Sequence, residues 1–392
     1  MSFNRGVGEV AAVFLRLGAT AFGGPAAHIA MMRTEFVERR RWLDDEAFTD
    51  LIGAASLIPG PNSTEVAIHL GHRRAGAAGL VTAGVCFILP AFLIVLALAW
   101  LYVRFGTLPE TRAALYGAKP VILAVVAQAL VGLSKSVLKG PVMIGFAVAA
   151  LIASLLRASE LLVVFLPGLL LGGNEWRKSP SAKAGLPLLA VTVAVGGFLG
   201  LSIFLNSRSG GGPAAGPWTL FLEFLKIGSV LYGSGYVLLS YLETDLVRRL
   251  AWLSPGQLLD AVAVGQFTPG PVFTTATFVG YVAAGLPGAV AATLGIFLPS
   301  FIFVALSARA LPKLRSLPTT AAFMSGVNAA SLGLMAAVLF KLGGDAIRDP
   351  LAGGVALAAL ALLLRTKVNS AWLVLAGAVL GVVFHPLVSS GR

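Results

Sequence analysis

Two cations lie inside otherwise apolar stretches of this sequence, where they could hold an anion. Arg16 lies in the first such stretch, and Lys226 occupies the same place in a second, similar stretch. A cation at the centre of a membrane helix costs at least about 2.5 kcal/mol, so it usually faces a cavity or a partner. Two such cations would suit a doubly charged oxyanion. The simpler alternative for Arg16 is a side chain that reaches the interface from near a helix end.

Two Pro-Gly-Pro triplets interrupt other apolar segments. The first is Pro59, Gly60 and Pro61, followed by Asn62, Ser63 and Thr64; the second is Pro269, Gly270 and Pro271, with Thr274 and Thr275 shortly after. Such a triplet lacks two backbone donors and cannot continue a helix. Irregular backbone at membrane depth survives only when it is buried in protein or lines a wet cavity. The half-helix that follows each triplet presents N–H groups and a positive dipole end, which favour an anion.

A second pair of interruptions lies at the ends of the two stretches that carry the cations. One contains Gly23, Gly24 and Pro25, and the other contains Gly233 and Gly235. A single proline would favour a simple kink, but paired interruptions at corresponding places favour a substrate site. The predicted binding set is therefore Arg16, Gly23, Gly24, Pro25, Pro59, Gly60, Pro61, Asn62, Ser63, Thr64, Lys226, Gly233, Gly235, Pro269, Gly270, Pro271, Thr274 and Thr275.

Other polar residues carry weaker signals. Glu65 follows the first triplet and is a candidate coupling carboxylate, or alternatively a partner of Arg16. Asp50 and Asp260 are expected to cap the helices that contain the triplets. The four histidines have no metal-ligand spacing and are expected at the membrane interface, and a single cysteine, Cys86, excludes a disulfide. We therefore expect no metal, no cofactor and no catalytic residues.

The elements that position these residues are membrane helices. The chain of 392 residues is 57% hydrophobic and only 12% charged, about half the charge of a soluble domain. Apolar stretches such as 79–102, 186–205 and 288–311 reach the roughly 20 residues that a helix needs to cross a bilayer. The net charge of +12 comes from cations in short loops, which indicates membrane topology and contact with anionic lipid rather than nucleic acid.

The sequence also contains a tandem repeat. Phe14-Leu-Arg-Leu-Gly returns as Phe224-Leu-Lys-Ile-Gly, an offset of 210, which also relates Trp42 to Trp252 and the two triplets to each other. After one deleted residue the offset is 209. We predict a first module at 1–175, a connecting segment at 176–219 and a second module at 220–392. The connecting segment holds an extra apolar helix, 186–205, and a Gly/Pro/Ser-rich linker, 207–217.

The predicted fold class is an all-α polytopic membrane protein with two homologous modules of about six hydrophobic segments each. Helices broken at Pro-Gly-Pro are expected in both modules. If the triplet segments cross the bilayer, the extra helix inverts the second module. If they enter and leave on one side, the modules are parallel. The arginines around the first triplet segment favour one-sided entry weakly, and the sequence leaves the choice open.

These motifs resemble the bacterial chromate ion transporter family in its long, two-domain form. The resemblance rests on Phe22 to Pro25, Trp42-Leu43, Pro59 to Asn62 and Pro269 to Pro271, and it covers nearly the whole chain. It implies efflux of chromate across the bacterial inner membrane, giving chromate resistance, with sulfate as a structural analogue. The second copy has Gly235 in place of Pro25 and Val272 in place of Asn62, so the two halves need not contribute equally.

We therefore expect a multi-pass secondary transporter of the bacterial inner membrane, and not an enzyme. No P-loop pattern supplies ATP binding, and no membrane-protease or hydrolase motif supplies catalysis. The alternatives are a carrier of sulfate or another oxyanion, an anion channel and, less readily, an intramembrane enzyme. The expected partners are chromate or sulfate and the lipid bilayer, without nucleic acid and with a homodimer left open.

Overall fold

The structure is a computed structural model that describes residues 2–22, 24–178, 215–232, 235–307, 317–366 and 368–389. These residues form fourteen α-helices. The first copy contains α1 (Ser2–Thr20), α2 (Gly24–Arg33), α3 (Asp45–Ala55), α4 (Asn62–Phe105), α5 (Pro109–Val137), α6 (Pro141–Leu155) and α7 (Glu160–Lys178). The second contains α8 (Pro217–Val230), α9 (Leu238–Tyr241), α10 (Pro255–Phe267), α11 (Thr275–Ser307), α12 (Pro318–Ala346), α13 (Pro350–Arg365) and α14 (Ser370–Ser389).

Within the described residues, four segments are long and apolar enough to cross a membrane: Asn62–Phe105, Pro109–Val137, Val272–Leu306 and Pro318–Ala346. Three shorter apolar helices, Pro141–Leu155, Pro350–Arg365 and Ser370–Phe384, accompany them. The described chain thus confirms the prediction of an all-α membrane protein with two repeated modules. The extra segment 186–205 and most of the linker lie outside the described residues.

The first hydrophobic segment of each copy folds back on itself. In the first copy, which we call hairpin A, α1 packs against α2 and the π-helical turn Thr34–Arg39. Phe14 stacks on Phe36 at 5.1 Å between ring centroids, and the Arg40 guanidinium contacts Glu9 at 2.8 Å near the open end. The corresponding hairpin of the second copy, which we call hairpin A′, comprises α8, α9 and the π-helical turn Leu242–Arg249. There Lys226 of α8 contacts Asp245 in the π-helical turn at 2.7 Å.

The triplet segments form a second pair of hairpins. Hairpin B comprises α3 and the first part of α4, which ends at a break at Ala75 and Gly76, and hairpin B′ comprises α10 and the chain as far as the break at Ala284 and Gly285. At the open end of hairpin B, the Arg74 guanidinium lies 5.3 Å from the ring centroid of Trp42, which precedes α3. Gly71 packs against Gly79, so the chain turns back at the break and the long second part of α4 continues past the hairpin.

The two copies are inverted. Tyr116, near the start of α5, donates a hydrogen bond of 2.5 Å to Asp349, which follows the end of the equivalent helix α12. Because α5 and α12 also pack together, the start of one lies beside the end of the other. The copies are also interleaved: α14 packs on α5 and α7 packs on α12. A two-fold axis perpendicular to these helices therefore relates the modules.

One-sided entry of the triplet segments predicted parallel modules, and the structure separates these two properties. The hairpins do enter and leave on one side, but the modules are nonetheless antiparallel. The difference arises because the first segment of each copy also folds back, which leaves four helices per copy that run across the fold. We call the side where hairpins A and B open the first side, and the side where A′ and B′ open the second side.

Candidate substrate site

The tips of the four hairpins meet at the centre of the molecule. The Gly60 N–H of hairpin B donates to the Leu231 carbonyl at the tip of A′ at 2.8 Å. The equivalent Gly270 N–H of hairpin B′ donates to the Ala21 carbonyl at the tip of A, also at 2.8 Å. Gly270 packs against Ala91, midway along the second part of α4. Irregular backbone from both copies is therefore buried in protein at mid-depth, where its polar groups are satisfied.

A cavity of about 530 Å³ lies beside these tips. Residues of all four hairpins line it, together with α5 and α12. Its polar lining consists of neutral side chains: Ser56, Asn62, Ser63, Gln128, Asn328 and Ser331. Among the residues that the structure describes, no charged side chain lines this cavity.

Helix starts from both copies converge on the cavity. Pro25 lies at the start of α2 and Asn62 begins α4, while Gly235 and Val272 begin the short 3₁₀ turns at the corresponding places of the second copy. The first N–H groups of a helix lack acceptors within the helix and carry the positive end of its dipole. With the neutral donors around them, these groups can bind an oxyanion without a cation.

The structure brings part of the predicted set to this cavity. Pro25, Pro61, Asn62, Ser63 and Gly235 line it. The remaining tip residues are buried behind the lining: Gly24, Pro59, Gly60, Thr64, Pro269, Gly270, Pro271, Thr274 and Thr275. The hydroxyls of Thr274 and Thr275 donate to the carbonyls of Pro271 and Val272, so they cap backbone rather than face the cavity. Gly23 and Gly233 lie outside the described residues.

The two predicted cations are not brought to the cavity. Arg16 contacts Glu35 at 2.6 Å and lines a separate cleft of about 380 Å³, and its side chain is 52% exposed. Lys226 lies between Glu223 and Asp245, at 2.7 Å from each. Each cation therefore joins the two arms of its own hairpin. A direct role of these residues in anion binding stays a prediction. The side chains that line the cavity itself are neutral.

Glu65 lies directly behind the tip of hairpin B. Its side chain is fully buried, Ser300 donates to Oε1 at 3.2 Å, and Oε2 has no hydrogen-bond partner among the described residues. Arg16 pairs with Glu35, so the alternative partner proposed for Glu65 is engaged elsewhere. An ionised carboxylate buried without a cation costs several kcal/mol.

Several residues of this region were not predicted from the sequence. Gln128 and Asn328 line the cavity. Each is a polar residue within a long apolar helix, and this contrast could have indicated them from the sequence. His28, expected at the interface, is instead buried beside the tips. Asp50 and Asp260 do not cap α3 and α10, because Asp44 and Ser254 accept the N-terminal hydrogen bonds there. These capping residues precede the helices by one residue, as the capping rules require.

The two halves of the site differ in a systematic way. On the second side, Lys119 of α5 contacts Asp260 of hairpin B′ at 3.1 Å, and Lys341 of α12 lies 3.9 Å from Glu243 of hairpin A′. The residues equivalent to these two lysines are Asn328 and Gly132, and both line the cavity. Ion pairs thus hold hairpins A′ and B′ against the long helices, while the equivalent space on the first side is open.

Inverted repeats, broken helices that meet at mid-depth and a cavity lined by both copies are typical of a membrane transporter. The family model described as chromate transporter matches residues 8–173 and 218–382. The chain belongs to this family.

Curated relatives agree with this assignment. The chain is 35% identical over 389 residues to a chromate transport protein of Cupriavidus metallidurans, covering 95% of this chain and 92% of that protein. It is 32% identical to a chromate transport protein of Pseudomonas aeruginosa, covering 85% and 80%. It is also 30% identical to an uncharacterized transporter of Methanocaldococcus jannaschii, covering 74% and 73%. No solved structure matches.

Proposed function

We propose that this protein is a secondary transporter that exports chromate across the bacterial inner membrane and thereby confers chromate resistance. The observation that carries the proposal is the central cavity, where helix starts and neutral donors from both copies can surround a tetrahedral dianion. The relatives named as chromate transport proteins support chromate as the substrate. Sulfate has the same shape and charge, so we propose it as a second substrate of the same cavity.

The cavity is lined on α5 by Gly132 and Val137, in the half of this helix that lies towards the first side, and we propose that the first side is cytoplasmic. Clusters of arginine, 39–41 and 73–74, lie at the open ends of hairpins A and B on this side. Cations of this kind are retained on the cytoplasmic side of membrane proteins. A site that loads from the cytoplasm fits export. The ion pairs on the second side close the site there, which favours a carrier over a channel.

We expect Asn62→Asp to remove most chromate transport. The new carboxylate would face the cavity, where repulsion of a unit charge 4 Å away is about 4 kcal/mol at an effective dielectric constant of 20. The measurement is chromate accumulation in everted vesicles, whose cytoplasmic face is outward, and the uptake rate should fall at least about 100-fold.

Asn369→Asp is the matched control. Asn369 is exposed in the connection between α13 and α14, and its side-chain oxygen accepts the Ala371 N–H at 3.0 Å, a bond that the aspartate keeps. This variant should transport like the parent. Equal rates for both variants would place the anion elsewhere, and accumulation only in right-side-out vesicles would reverse the proposed direction.

We also propose that Glu65 couples transport to protons, because a carboxyl buried without a cation must exchange a proton when its surroundings change. Glu65→Gln keeps the shape and can still accept from Ser300, but it cannot carry a proton. We expect chromate–chromate exchange within about threefold of the parent and loss of the accumulation driven by a pH gradient. Accumulation by the variant equal to that of the parent would contradict coupling through Glu65.

A further inference from the structure

His28 is buried between the tip of hairpin A and the cavity wall. Its side chain is 1% exposed, and its ring lies edge-on to Phe87 with 5.7 Å between centroids. Nε2 lies 3.0 Å from the Ala21 carbonyl, the same carbonyl that receives the Gly270 N–H. Nδ1 lies 3.2 Å from Oγ of Ser63, which lines the cavity. One ring thus connects the tip contact between the copies to a residue of the proposed site.

The chemistry of the two partners determines the hydrogens. A carbonyl can only accept, so Nε2 carries the proton and donates to Ala21. In the neutral ring Nδ1 is then an acceptor, and the Ser63 hydroxyl donates to it. The oxygen of Ser63 presents only lone pairs to the cavity in that state, which disfavours an anion. In the doubly protonated ring, Nδ1 donates to Ser63 and frees the hydroxyl hydrogen for an anion in the cavity.

We infer that His28 is a positioning residue that makes anion binding depend on pH, because its protonation converts Ser63 from an acceptor into a donor. This inference rests on the proposed anion site and deepens it. The equivalent positions of the second copy hold Leu238 and Phe273, so only the first copy has this device. A charge-assisted hydrogen bond is about twice as strong as a neutral one, so the anion should bind more tightly as the pH falls.

The other titratable groups around α2 are engaged elsewhere or lie further along their helices. On α1 and the adjoining π-helical turn, Arg16 pairs with Glu35, and Arg40 pairs with both Glu9 and Glu35. On α4, Glu65 accepts from Ser300. α4 also carries His69, His72 and Cys86, and His72 lies next to Arg73 near the open end of hairpin B. His69 is buried, and its Nε2 has no hydrogen-bond partner among the described residues, so it provides a control for a second titrating group.

The test measures the dissociation constant of chromate for the purified protein between pH 4 and 8. His28→Gln keeps a donor for the Ala21 carbonyl but cannot be protonated, and Ser63→Ala removes the hydroxyl that responds. Comparing each variant with the parent at the same pH cancels the protonation of chromate itself. We expect the ratio of variant to parent dissociation constants to rise about tenfold from pH 8 to pH 4 for both variants, and to stay constant for His69→Gln.

A ratio for His28→Gln that does not change with pH would overturn the inference while leaving the proposed function intact. The same holds for a ratio that changes in His69→Gln but not in His28→Gln. If His28→Gln fails to fold, Ser63→Ala supplies the same test, because its loss of the hydroxyl does not touch the Ala21 contact. Failure of the parent protein to bind chromate at any pH would instead refute the proposed function.

Discussion

Gly60→Ala should reduce chromate transport to less than about a tenth of the parent rate and lower the melting temperature of the protein. Gly60 adopts a φ of +136°, and a Cβ there would lie 2.4 Å from both Glu65 Oε1 and Ser300 Oγ. Neither neighbour can move freely, since both are fully buried. The left-handed backbone adds about 1–2 kcal/mol of strain, and overpacking adds about 1–3 kcal/mol. The Gly60 N–H bond to Leu231 would shift with the tip.

Gly76→Ala separates backbone strain from crowding. Gly76 also has a positive φ, +61°, but a Cβ there would meet nothing within 4 Å. The strain alone should cost about 1–3 kcal/mol, and the variant should keep its transport activity. Flux in vesicles and thermal unfolding in detergent would distinguish the two. If Gly60→Ala and Gly76→Ala behave alike, the tip of hairpin B is not the tightly packed centre that the structure shows.

The breaks at the hairpin tips were predictable because they depend on local chemistry. Two prolines flanking a glycine cannot continue a helix, whatever surrounds them. The fold-back of the first segment was not predictable in the same way. The apolar length of a segment is the same whether it crosses the membrane or returns, and only long-range pairs such as Phe14 with Phe36 separate these alternatives.

The positions of the two cations show a second limit of prediction from the sequence. The repeat places Arg16 and Lys226 at equivalent positions, and the prediction from sequence was that both face an anion. Their acidic partners, Glu35 and Asp245, occupy equivalent positions in the two copies and were part of the same alignment. A repeated cation together with a repeated carboxylate indicates an ion pair within each hairpin. Spacing along the chain could not show this, because the partners lie on opposite arms.

The asymmetry of the site arises from a few substitutions between the copies. Where the second side has Lys119 and Lys341, the first side has Asn328 and Gly132. The hairpins of the second copy pack on the long helices α5 and α12 and on α14, whereas those of the first copy pack chiefly on α4. Inverted repeats of this kind exchange conformations during transport. Opening of the second side would therefore require hairpin A′ to move away from the long helices.

Linking hairpin A′ to α7 should stop transport. Thr244 of A′ donates to Glu160 of α7 at 2.5 Å, so cysteines at these positions, Thr244→Cys and Glu160→Cys, come within reach of a short bifunctional thiol reagent. Cys86 is the only native cysteine, and Cys86→Ser gives a clean background. We expect the cross-linked protein to retain less than about a tenth of its chromate flux, because opening of the second side is blocked. Cleavage of the linker should restore the flux.

A second pair on the same side provides the control. Tyr116 and Asp349 form a hydroxyl–carboxylate contact of the same length, 2.5 Å, but it joins α5 to the start of α13 and involves no hairpin. Tyr116→Cys with Asp349→Cys, linked by the same reagent, should leave the flux unchanged. The contrast matters because any cross-link could stiffen the protein. Loss of flux in both pairs would indicate motion throughout the helices, whereas retention in both would show that hairpin A′ does not gate the second side.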